Sequence, residues 1–127
     1  MKANELRIGN YFLDRGNKTL RIDWFERSKA CMTMMIGNME VHPLTEDFEY
    51  MQPIPLTEEW LLKFGFEWSI RHQATHKEGF EFDLNSLVYG GYSLSTWKRG
   101  VIIVESIKYV HQLQNLYFAL TGEELTI

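Results

Sequence analysis

The sequence predicts an α+β protein: a small N-terminal β unit, a short buried helix, and an antiparallel β-meander packed by a C-terminal helix. Three observations carry this reading. Short strand-like runs punctuated by Gly and Asn fill residues 6–36, all three prolines fall at positions 43–55, and residues 109–120 repeat apolar side chains at helical spacing.

Leu6, Ile8 and the Gly9-Asn10 pair open the β unit. Residues 11–13, 19–25 and 29–36 read as strands, separated by a polar loop at 14–17 with Gly16 and closed by Gly37-Asn38. Successive antiparallel pairing is the economical arrangement, and short strands packed this closely suggest a strongly bent sheet of the SH3-like kind. Pro43, Pro53 and Pro55 mark a connector over residues 43–56 between this unit, 1–42, and the remainder, 57–127, within one compact domain. A six-residue echo begins in the connector and runs past its end, PLTEDF at 43–48 and PLTEEW at 55–60. In each copy Thr is placed to cap a helical turn, and the two acids favour its positive N-terminal end.

After the second copy, Trp60, Leu61, Leu62 and Phe64 form a two-turn helix that is apolar nearly all round, so burial is required, and Gly65 stops it. Residues 66–71, 80–89, 92–97 and 101–106 then read as strands. Gly90-Gly91 signals a two-residue hairpin and Lys98-Arg99-Gly100 a three-residue one. Phe80, Phe82 and Leu84 alternate with Glu81 and Asp83, which turns one face inward and gives the acids to water. In the final helix Tyr109, Val110, Leu113, Leu116, Tyr117 and Leu120 fall on a stripe about 120° wide, and Gly122 ends it. The opposite face holds His111, Gln112, Gln114 and Asn115, polar but formally uncharged, with Phe118 among them.

A length of 127 residues, 45% hydrophobic with 24% charged, is that of a globular chain with a core of its own. No apolar run is long enough to span a bilayer and no export signal is evident at the start, so a soluble cytoplasmic protein is expected. The single cysteine, Cys31, excludes an internal disulfide and has no neighbour to lower its pKa, so a buried structural thiol is expected. Charge is uneven: residues 1–37 carry seven Lys or Arg against four acids, and residues 38–67 one Lys against seven acids. Any anion-facing surface therefore belongs to the N-terminal part, but the net charge of -4 lacks the basic footprint of a dedicated nucleic-acid binder.

Two stretches, PIPLTEEWLLKFGF at 53–66 and YVHQLQNLYFALTGEEL at 109–125, together with LRIGNY near the start, resemble a family of small uncharacterised proteins from phage, prophage and mobile elements of gut bacteria. The resemblance implies a bacterial or phage setting. It implies no activity, ligand or catalytic residue.

No constellation announces catalysis. There is no phosphate loop, no GxSxG elbow and no HExxH motif, and no cofactor is expected. His72 and His76 stand four apart, which on a helix would let them share an ion, but the surrounding sequence reads as a strand. There the same spacing separates the Cα atoms by roughly 13 Å, so no metal site is expected. A non-catalytic protein-interaction module follows, with His111, Gln112, Asn115 and Phe118 meeting a protein partner or a second copy across a two-fold axis. The competing account of that face is packing within the same chain. The alternative function is nucleic-acid binding through Arg7, Arg15, Lys18 and Arg21 of the basic β unit. A third is an enzyme assembled from dispersed residues, whose mark would be a deep pocket lined by His and carboxylates.

Overall fold

The structure, a computed structural model, describes residues 6–26, 29–36, 39–47, 50–97 and 99–127. Among them are a four-stranded antiparallel sheet, a five-stranded antiparallel sheet and two helices, an α+β protein. By their contacts the residues fall into two units, Met1–Ile54 with Val110–Leu116, and Pro55–Tyr109 with Tyr117–Ile127.

In the first unit β1 (Tyr11–Leu13), β2 (Thr19–Glu26) and β3 (Lys29–Ile36) are the expected strands, and β4 (Met39–Asp47) follows them in the order β1-β2-β3-β4. The fourth strand corrects two expectations. Residues 43–47 are neither connector nor capped turn, because they pair with β3, Leu44 opposite Met32 and Thr45 opposite Cys31. The register jumps from Met32↔Leu44 to Met34↔Val41, leaving His42 and Pro43 opposite Thr33 alone. Such a bulge is where a strand tolerates a residue that lacks an N–H, so pairing overrides the local capping signal. Gly37, Asn38, Phe48, Lys98 and the Cys31 side chain lie outside the described residues.

Helix α2 (Val110–Thr121) begins in this unit, and its uncharged face is used there. The Gln114 amide is fully buried: its Oε1 accepts from Tyr11 N at 2.9 Å and its Nε2 donates to Gly9 O at 2.9 Å. Asn115 Oδ1 accepts from Asn10 Nδ2 at 2.9 Å and from the Arg7 guanidinium at 3.2 Å, while the His111 ring lies 5.0 Å from that of Phe12. These contacts hold the helix beside β1, where Tyr11, Phe12, Val110 and Leu113 are all buried.

The second unit contains α1 (Glu58–Lys63), β5 (Glu67–Ser69), β6 (Ala74–His76), β7 (Phe82–Ser86), β8 (Tyr92–Thr96) and β9 (Ile102–Ile107), the strands forming a meander in sequence order. Thr57 caps α1 as expected, its side chain accepting from Trp60 N at 3.4 Å. Burial all round is not realised: Trp60, Leu61 and Phe64 are buried but Leu62 is 57% exposed, since so short a helix covers the core with one face. Gly91 in the β7–β8 turn has φ +81°, and a Cβ there would lie 2.9 Å from Ile107 O, so both its conformation and its neighbour demand glycine. The core joins Phe66, Phe80, Leu84, Leu94 and Tyr117, with Phe80 between Phe66 at 6.1 Å and Tyr117 at 4.9 Å. Among the described residues no helix is long and apolar enough to cross a membrane.

Two outcomes are expected. Gln114→Leu strands the Tyr11 N–H and the Gly9 carbonyl and should cost roughly 2–4 kcal/mol in urea unfolding, whereas Gln112→Ala, at an exposed position, should cost about 1 kcal/mol or less. Burial, and after it Glu123, raises the Tyr117 hydroxyl above its ordinary 10.0. The unfolded chain then ionises first, so the stability that Tyr117 contributes is whole below pH 10.0 and declines above it. Tyr117→Phe should flatten that decline when unfolding is followed against pH.

Candidate functional site

Alternation along the meander sorts its side chains. Register pairs Thr75 with Leu84 and Leu84 with Leu94, which places these three on one face of the five-stranded sheet. Ala74, His76, Asp83, Asn85, Ser93 and Ser95 consequently share the other face, with Asp83 opposite Ser95 and Asn85 opposite Ser93. This second face was expected to be solvated. Instead Asp83, Ser93 and Ser95 are buried, because the chain on either side of the strands folds over them.

The covering is built by a turn that the sequence does not advertise. Residues 70–73, which contain neither Gly nor Pro, reverse the chain between Ser69 and its pairing partner Ala74. Gln73 adopts φ +55°, its N–H bonds to Ser69 O at 2.8 Å and its side chain donates to Ile70 O at 2.6 Å, while the Ser69 hydroxyl accepts from His72 N at 3.1 Å. Side chains thus supply the turn chemistry that glycine would otherwise provide. The turn returns His72 to His76, which corrects the expectation that a strand holds them apart: the rings stack with centroids 4.0 Å apart and planes at 22°. Trp97 stacks on His72 at the same 4.0 Å and 22°, and the Arg71 guanidinium lies 4.8 Å over Trp97.

Both imidazoles converge on one carboxylate. His72 Nδ1 lies 3.1 Å from each oxygen of Asp83, and His76 Nδ1 lies 2.9 Å from its Oδ1. The Asp83 side chain is only 3% exposed, and a carboxylate so placed is costly unless hydrogen-bonded or paired. The two imidazoles meet that need in the tautomer that carries its proton on Nδ1, which the carboxylate favours. Beside the cluster opens a cleft of about 360 Å³ lined by His72, Asp83, Asn85, Ser95, Trp97 and Ile102 among others. Small side chains on the sheet floor leave this space, and Trp97 and Ile102 wall it.

Chemically the arrangement offers an anchored carboxylate, two oriented imidazoles and hydroxyl and amide groups for a polar ligand. The ligating atoms of His72, His76 and Asp83 lie within 4.8 Å of one another, so this trio could hold a metal ion. The Ser95 hydroxyl accepts a hydrogen bond from Asn85 Nδ2 at 3.0 Å.

The residues singled out from sequence lie elsewhere. His111 is buried and Asn115 is bonded to Asn10 and Arg7, whereas Gln112 and Phe118 are exposed; the uncharged helix face is thus largely consumed by its own unit. Of the four basic residues, Arg7 is held by Asn115, Arg21 pairs with Asp23 at 3.2 Å, and Arg15 lies 3.8 Å over the Tyr50 ring. Lys18 shares its turn with Asp14, which accepts from the Gly16 and Lys18 amides. Acids and amides interleave these cations. Sequence reasoning gave Asp83 to a solvated strand face with Glu81 and weighed Trp97 only as a stacking surface beside Lys98 and Arg99, so neither was placed in a cleft; the faint signal was the run of serines and Asn85 on alternate positions of β7 and β8.

Asp83→Asn replaces a double acceptor with one that also presents donors to the imidazoles, and it should cost about 1–3 kcal/mol in chemical denaturation while Glu81→Gln, at an exposed position, stays near neutral. Compared with known proteins, the chain matches no family model, no curated sequence and no solved structure.

Proposed function

We propose that the protein is a non-catalytic protein-interaction module that receives an extended segment of a partner along β9. The observation that carries this reading is the character of that strand. It is the last in the sheet, its only strand neighbour among the described residues is β8, and Val101, Ile102 and Ile103 are exposed on or beside it, Ile102 at 59%. Its register with β8 shifts between Leu94↔Val104 and Ser95↔Ile102, which leaves two consecutive isoleucines facing solvent. An open edge offers main-chain hydrogen bonds for affinity, and pockets beside it give specificity. Ile102 also lines the cleft, so a side chain of the added segment has a polar pocket to enter. The opposite edge, β5, has three residues against six and does not adjoin the cleft. A bacterial or phage cytoplasm is the proposed setting, supported by the resemblance of residues 53–66 and 109–125 to phage and mobile-element proteins.

Selection of random peptides on the immobilised protein tests the reading. Enrichment of extended sequences that bind wild type and fail to bind Ile103→Glu is expected; equal recovery on both proteins would overturn it. Sedimentation at micromolar concentration reports whether a second copy of the chain is the occupant.

A further inference from the structure

We propose that His72, His76 and Asp83 hold a divalent transition-metal ion of the zinc class. The donor set carries the choice. Two imidazoles and one carboxylate suit zinc and its borderline neighbours, whereas calcium and magnesium take oxygen ligands. The geometry is close to what an ion needs. Tetrahedral bonds of about 2.0–2.1 Å place neighbouring ligand atoms about 3.3 Å apart, and the two imidazole Nδ1 atoms lie 2.9 and 3.1 Å from Asp83 Oδ1. All three ligand atoms fall within 4.8 Å of one another. Three protein ligands leave a fourth position, and the cleft that His72 and Asp83 line supplies its occupant, water or a polar group of a bound partner.

Burial adds to the argument. The Asp83 carboxylate, 3% exposed, takes its positive partner from the ion in place of its present contacts with the two Nδ1 atoms. Ligation through Nδ1 leaves each ring proton on Nε2. Because the lone pair of Nδ1 lies in the ring plane, two rings facing each other at 22° must splay to share an ion. That movement loosens the stack of His72 on Trp97, so the tryptophan reports the event.

Zinc chloride titrated into the full chain, with imidazole nitrogens followed by NMR, tests the proposal in the wild-type protein. Saturation at one ion per chain is expected, with the Nδ1 resonances of His72 and His76 moving and those of His42 and His111 unchanged. Tryptophan emission should change in step in wild type and not in Trp97→Phe. His76→Gln should weaken binding at least roughly tenfold, the loss that even an outer-shell partner causes. No saturable shift, a shift confined to His42 or His111, or unchanged affinity in His76→Gln would each overturn it. Binding measured on the wild-type chain keeps the test decisive if a variant fails to fold.

Discussion

A strand cannot bury one face without committing the other, and the second unit follows from that constraint. Once Leu84 and Leu94 pair on the core side, period-two alternation sends Asp83, Asn85, Ser93 and Ser95 to the opposite side of the same sheet. An antiparallel meander usually gives that side to water. Here the turn at residues 70–73 and Trp97 fold over it, and a buried carboxylate results. The His72–His76 stack is the compensation that makes Asp83 tolerable, and the cleft is the space left because the floor beneath is built of small side chains.

Polar side chains do two distinct jobs in this molecule. Along α2 the amides of Gln114 and Asn115 satisfy backbone and side-chain groups near β1, where a charged residue would be expensive and an aliphatic one would leave donors and acceptors unmet. Their lack of formal charge is thus a requirement of burial. On the meander the polar groups of Asp83, Asn85 and Ser95 line open space, and there they are available to a ligand. The same kind of composition marks packing in one unit and a site in the other, and accessibility of the space beside it separates the two cases.

The edge strand and the cleft belong together because Ile102 contributes to both. A partner segment added to β9 would use main-chain groups that the sheet leaves unpaired, whereas the histidine–aspartate cluster would act through the pocket beside it. Binding at the edge needs no titratable group. Ion binding at the cluster needs no partner strand, so the two properties are separable in the same chain.

What the sequence determined by itself was local. Apolar spacing drew α2 and Thr57 with Glu58 and Glu59 started α1, each a signal written within a few residues, whereas Gly90-Gly91 marked the reversal after β7 but not its form: Ser86 pairs with Tyr92, so the two glycines close a five-residue loop at 87–91 and not a two-residue hairpin. The α+β class followed from these, as did three strands of the first sheet. Tertiary structure decided whatever depended on residues distant in the chain or on side chains answering one another. Pairing with β3 made residues 39–47 a strand despite Pro43 and the capping pattern, because a bulge absorbs the missing N–H. Burial of the Gln114 amide required β1, 103 residues away. The candidate site was the least legible part, since its turn at residues 70–73 is built by Ser69 and Gln73 hydrogen bonds rather than by glycine or proline. Reading those residues as a strand kept His72 from His76, and only the fold, by returning the chain on itself, brought both imidazoles to Asp83.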